Sequence, residues 1–140
     1  MSIIKKILVI CTDNSFRSQI AEGYLRFFAR ERAEIYSAGI EAHVVNPIAI
    51  AIMKEDHIDI SGHTSNNLNE YHDIDFDYVI TVCDNARDRC PVFPSTTLHF
   101  HCNFFDPAEV TGTDEQRLDL FRTVRVMIKL YTMEFVSQNL

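Results

Sequence analysis

Cys11 and Arg17 stand six positions apart in the run Val9, Ile10, Cys11, Thr12, Asp13, Asn14, Ser15, Phe16, Arg17, Ser18. Small polar residues separate them, and a helical pattern begins at the arginine. A loop of this kind turns its backbone N–H groups toward one point, where with the arginine they can hold an oxyanion. Thr12, Asp13, Asn14, Ser15, Phe16, Arg17 and Ser18 form the candidate cradle, with Cys11 as nucleophile at its floor. A thiol beside a helix N-terminus and an arginine can fall from ~8.5 to between ~3.5 and ~7.5. The sequence therefore predicts a Cys11 that is mostly thiolate at neutral pH.

The same spacing recurs between Cys83 and Arg89, so spacing alone does not choose the nucleophile. Context does. A long helical pattern follows Arg17, whereas Cys90 and Pro91 follow Arg89 and cannot continue such a helix. Asp84 and Asp88 in the second run would also repel an oxyanion. Cys83 and Cys90 bracket a segment too polar for a core, which places both thiols in exposed or half-exposed positions. If that segment is a short helix, seven residues rise ~10.5 Å, while a disulfide needs Cα atoms within ~7 Å. Joining Cys83 to Cys90 would then require local unwinding, a built-in redox switch. The close ligand spacing of structural zinc sites is missing here. His99, His101 and Cys102 do not complete a set, so no zinc is expected.

Asp106, followed by Pro107, is a candidate general acid, although an Asp-Pro pair is also an ordinary turn. A carboxylic acid over the cradle could protonate a departing oxygen, a contribution of ~100-fold to ~10,000-fold.

The elements that must position these groups follow from hydrophobic patterning. Ile7 to Ile10 is a continuous apolar run, as in a strand covered on both faces. Ile20, Ala21, Tyr24, Leu25 and Phe28 repeat at helical spacing from Ser18 to about Arg32. Glu34 to Ala38 is a second strand ending at Gly39. Asn46 and Pro47 are an N-cap and first helical residue, opening a helix through about Asp56. Tyr78 to Val82 and Thr97 to Phe100 are two more strands. Thr113 with Gln116 is a capping box that starts a long C-terminal helix with Leu118, Phe121, Val124, Ile128, Tyr131 and Phe135 on one face. Alternating strands and helices imply a parallel α/β sheet with helices on both faces. Ligands of such sheets bind beyond the strand C-termini, where Cys11, Cys83 and the loop after Phe100 all fall.

With 140 residues the chain reads as one domain, 1–140, able to bury ~68% of its unfolded surface without a disulfide framework. The formal net charge of -7 argues against nucleic acid or an anionic membrane as partner. The apolar run before Cys11 is too short for a signal peptide and nothing approaches a membrane span. A cytoplasmic setting, where thiols stay reduced, is expected.

Cys11 to Arg17 with Ser18, Gln19, Ala21, Glu22 and Gly23, then Ser37, Ala38 and Gly39, then Asn46 and Pro47, His63, Thr64 and Ser65, Cys83, Cys90 and Pro91, and Asp106 with Pro107 together resemble the thioredoxin-coupled arsenate reductases. These share the fold of the low-molecular-weight protein tyrosine phosphatases, and the likeness spans nearly the whole chain. The resemblance implies a four-stranded parallel sheet flanked by helices. It implies that Cys11 attacks arsenate held by the loop amides and Arg17 while Asp106 protonates the departing oxygen. Cys83 then attacks the Cys11 sulfur, releasing arsenite, and Cys90 takes over the disulfide so that thioredoxin can reduce it.

Some positions depart from that pattern. Asp13 stands where a glycine is usual, which puts a charge close to the anion. Phe16 replaces a cysteine outside the relay, and Cys102 has no role in it and reads as a buried structural thiol. Asn14, Glu22 and Ser37 match a potassium site of some members, with Asn66 in place of an aspartate, so potassium is an optional ligand and no cofactor is required. A phosphatase using Cys11, Arg17 and Asp106 is the alternative reading, weakened by Ala108 where an aromatic residue would flank a phenyl ring. A non-catalytic oxyanion-binding or redox-sensing domain is the third.

Overall fold

The structure, a computed structural model, describes residues 4–140. Met1, Ser2 and Ile3, the start of the segment read as too short for a signal peptide, lie outside the described residues. The elements run β1 (Lys5–Cys11), α1 (Arg17–Ala29), β2 (Ala33–Gly39), α2 (Pro47–Glu55), β3 (Tyr78–Thr81), α3 (Asp84–Arg89), β4 (Leu98–His101) and α4 (Asp114–Asn139). Four parallel strands form one sheet in the order β2-β1-β3-β4.

The apolar run Ile7–Ile10 makes β1 a central strand, and all four residues are fully buried. Tyr78 of β3 and Phe100 of β4 meet Phe135 of α4 edge-to-face on one side of the sheet. On the other side Tyr36 of β2 stacks edge-on with Tyr71 and Phe76. A single turn of 3-10 helix over Leu68–Tyr71 supplies Tyr71. Since β2 lies on one side of β1 and β3 on the other, the chain reverses its winding between β1 and β3. Crevices at such switch points are where open α/β sheets bind ligands. Cys11 ends one of these strands and Cys83 follows the other.

Capping chemistry sets the element ends. Asn46 Oδ1 accepts from Ile48 N at 2.9 Å, with Pro47 as the first helical residue. Thr113 and Gln116 form the expected reciprocal pair at the start of α4. The first helix ends at Ala29, earlier than its apolar repeat suggested, because Arg30 takes a left-handed backbone (φ 52) before a 3-10 turn over Arg30–Arg32. The fourth strand is shifted by one residue, to Leu98–His101. Thr97 instead sends its hydroxyl to the Phe76 carbonyl at 2.7 Å.

Gly39, at the end of β2, lies against the cradle. A Cβ there would come within 2.9 Å of Asn14 N and of Asp13 C, and within 2.6 Å of Glu41 O. All three are backbone atoms, so the Gly39→Ala variant must displace the loop. We expect it to lose about 1–3 kcal/mol of stability by overpacking and to lose oxyanion affinity. A denaturant titration beside a phosphate titration checks both.

Candidate active site

The cradle loop is braced from inside. Asn14 is fully buried with a left-handed backbone (φ 53), a conformation that asparagine tolerates better than most residues. Its Nδ2 donates to Ser18 Oγ at 2.7 Å and to Ser37 Oγ at 2.9 Å. Its Oδ1 accepts from Gln19 Nε2 at 3.2 Å and from Asn66 N at 2.9 Å. Gln19 also donates to the Asn14 and Thr64 carbonyls, and its Oε1 lies 3.0 Å from His63 Nδ1. Phe16 anchors the far side of the loop, buried edge-to-face against Phe121 with ring centroids 4.8 Å apart. The first turn of α1 has neither a side-chain cap nor an acidic residue, so nothing there competes for its free amides.

Cys11 is fully buried. Its sulfur takes the Asn14 N–H at 3.1 Å and lies 2.8 Å from Ser18 Oγ. Because Ser18 already accepts from Asn14, its own proton is free for the sulfur. Burial nevertheless pushes the Cys11 thiol up, Asp13 adds to that, and the Ser18 hydrogen bond and the Arg17 charge oppose it. Burial is the largest of these effects and the Arg17 charge the smallest, its guanidinium donating to the Phe104 carbonyl at 2.9 Å and lying 3.8 Å from Asp106 Oδ2. The net direction is upward, opposite to the lowering read from spacing.

Alkylation of Cys11 by iodoacetamide, followed by peptide mass, is therefore expected to rise with a midpoint above the ordinary thiol value. The Asp13→Asn variant, by removing a negative charge, is expected to lower that midpoint. A wild-type midpoint below the ordinary value would contradict this assignment.

Asp106 serves its turn and faces the site at once. Its Oδ1 accepts from Ala108 N at 3.0 Å, capping the 3-10 turn Pro107–Glu109. Its Oδ2 is the oxygen toward Arg17.

Cys83 is 3% exposed, a correction to the exposed or half-exposed position read from its polar neighbours. It lies just beyond the buried strand β3, after the buried Val82, and its sulfur lies 3.3 Å from Thr12 Oγ1. Thr12 thus spends its hydroxyl on Cys83 and on Asn85 Nδ2, which donates to it at 2.9 Å. Cys90, half-buried, follows α3, so a formed helix separates the two thiols. All four cysteines are free. Cys102 is also only half-buried, because it leaves β4 at the edge of the sheet.

Residues to which patterning gave no positioning role hold α3 in place. His101 Nε2 lies 2.8 Å from Asp84 Oδ1, and His101 Nδ1 lies 2.6 Å from Thr81 Oγ1. Asp84 N donates to Asn103 Oδ1 at 3.0 Å. The only sequence signal was the position of His101 at a strand end.

Of the four residues matched to a potassium site, Asn14, Glu22 and Ser37 come together. Ser37 donates to Glu22, whose other oxygen takes Arg26 Nε at 2.9 Å and lies 3.4 Å from His63 Nε2. The Asn66 side chain turns instead to Thr64 and Glu70. These oxygens are engaged with one another, with the Arg26 guanidinium and with the His63 ring, so the residues as they stand do not fit the ion. Among the described residues no cluster of three or more His, Cys, Asp or Glu suits a metal. No helix among them is long and apolar enough to cross a membrane.

A buried cysteine and an arginine on a strand–loop–helix turn, under an aspartate from another loop, define the class of site. Residues 6–138 match the family described as low molecular weight phosphotyrosine protein phosphatase, and the chain belongs to that family. Within it, the chain is 46% identical over 121 residues to an arsenate reductase of Halalkalibacterium halodurans, covering 86% of this chain and 87% of that one. A solved arsenate reductase in the oxidized state has a TM-score of 0.83 and 31% identity, over 96% of this chain and 98% of that one. A thioredoxin-dependent arsenate reductase of Corynebacterium glutamicum has a TM-score of 0.70 and 25% identity, over 99% of this chain and 65% of that one.

Proposed function

We propose that this protein reduces arsenate to arsenite through a Cys11, Cys83, Cys90 relay that thioredoxin recycles. The observation that carries the reading is the placement of two thiols at one sheet end, Cys11 in the cradle and Cys83 across Thr12 from it, with a third, Cys90, one short helix further along the chain. A hydrolase needs only the first of them. The named activity of the similar proteins supports the same reading.

The Cys11 sulfur forms a bond to arsenic(V) as its thiol proton passes to a bound arsenate oxygen, and one arsenate hydroxyl leaves as water with a proton from Asp106. Loop amides, the N-terminus of α1 and Arg17 stabilise the charge on the remaining oxygens. The Cys83 sulfur next attacks the Cys11 sulfur. The electron pair of the S–As bond stays with arsenic, which departs as arsenite, arsenic(III), and a Cys11–Cys83 disulfide remains. The Cys90 sulfur then attacks that of Cys83 and frees Cys11, after which a thioredoxin dithiol reduces the Cys83–Cys90 bond. Helix α3 must unwind for this last transfer, since its ends are too far apart for a disulfide. No step calls for a resident cofactor, and we propose none. The assignment of Cys11, Arg17, Cys83, Cys90 and Asp106 to these roles is part of the proposal, as is a cytoplasmic setting.

The test is NADPH consumption by the purified chain with thioredoxin and thioredoxin reductase. Consumption that requires arsenate is expected. Hydrolysis of an aryl phosphate without arsenate-dependent consumption would transfer Cys11, Arg17 and Asp106 to the phosphatase reading.

A further inference from the structure

The Asp13 side chain is the one ionisable group of the cradle loop that the relay does not use. It is half-buried, and its Oδ1 accepts from Ser15 N at 3.3 Å and lies 3.9 Å from the Cys11 sulfur. The carboxylate is thus turned inward, toward the place where a bound oxyanion meets the sulfur and the loop amides. Its backbone is held there, the carbonyl accepting from His43 N at 3.2 Å and from Ser65 Oγ at 3.1 Å. Arg17, the nearby cation, is engaged with Asp106 and the Phe104 carbonyl.

An ionised carboxylate only accepts hydrogen bonds. A tetrahedral oxyanion beside it must either offer a hydroxyl or suffer the repulsion of two negative charges. At neutral pH arsenate and phosphate carry a hydroxyl and sulfate carries none. Taking the cradle as the oxyanion site of the reductase reading, we infer that Asp13 is a specificity-determining residue, admitting oxyanions that carry a proton and rejecting those without one, such as sulfate. The arrangement combines an attractive contact for one anion with a repulsive one for its competitor. Sites built around a substrate hydroxyl reject analogues that lack it by up to ~10,000-fold or more. Here the Asp13 carboxylate is half-exposed, and a preference of at least ~100-fold is expected.

Calorimetric titration of the reduced full chain with sodium phosphate and sodium sulfate reads this directly. In the wild type, sulfate is expected to bind at least ~100-fold more weakly than phosphate. In Asp13→Gly and in the isosteric Asp13→Asn, the ratio is expected to fall within ~10-fold, chiefly because sulfate binding is gained. Equal affinities in the wild type, or a ratio unchanged by both substitutions, would overturn the inference. Binding of neither anion to any of the three proteins would overturn it together with the cradle. Because the readout is equilibrium binding, absent arsenate turnover would sink the reductase reading and leave the selectivity result standing.

Discussion

Replacing Cys90 by serine is expected to abolish sustained arsenate reduction while leaving release of one equivalent of arsenite intact. Cys90 enters only after arsenite has gone, so the variant should stop as a Cys11–Cys83 disulfide. The geometry sharpens the expectation. Cys83 is buried beside Thr12, where a disulfide to Cys11 is shielded from a protein reductant. Cys90 is half-buried at the C-terminal end of α3, so moving the bond there and unwinding six residues brings it to the surface. Thioredoxin-coupled NADPH consumption by Cys90→Ser should thus show one equivalent of arsenite and then no steady rate. A steady rate equal to that of the wild type would remove Cys90 from the relay.

The second large effect is expected at Asp106. The Asp106→Asn substitution keeps the shape and the cap on Ala108 N, but it removes the carboxylate that faces Arg17 at 3.8 Å and that, once protonated, donates to the departing oxygen. Loss of the donor should slow formation of the first sulfur–arsenic bond by ~100-fold to ~10,000-fold. Loss of the charge should release Arg17 to the oxyanion and tighten ground-state binding. The combined signature is a large fall in kcat with a fall in KM, a pattern that a variant merely loosened in structure would not give. A fall in kcat/KM from raised KM alone would place Asp106 in substrate binding.

Much of this architecture was legible in the sequence because its signals are local. The apolar run Ile7–Ile10, the cap Asn46–Pro47 and the box Thr113–Gln116 each carry a physical cause within a few residues. The strand–loop–helix turn around Cys11 is legible for the same reason. What patterning misread depends on tertiary neighbours. The polarity of Asp84 to Arg89 suggested an exposed Cys83, but strand β3 delivers that thiol to Thr12 before the polar helix begins. Spacing places Arg17 near the loop but says nothing of the burial that pushes the Cys11 thiol up, nor of the partners of Arg17, Asp106 and the Phe104 carbonyl. His101 and Asp84 are distant in sequence and meet only because β3 and β4 pair in register, with Thr81 opposite His101. The inward turn of the Asp13 carboxylate is likewise a property of the folded loop.

The measurement that bears most directly on the three-thiol relay is disulfide mapping of the reduced wild-type chain after mixing with excess arsenate and no external reductant. One equivalent of arsenite and a Cys83–Cys90 disulfide are expected, with Cys11 and Cys102 still alkylatable. Arsenite without that disulfide, or no arsenite from a chain whose Cys11 is free and folded, would contradict the relay.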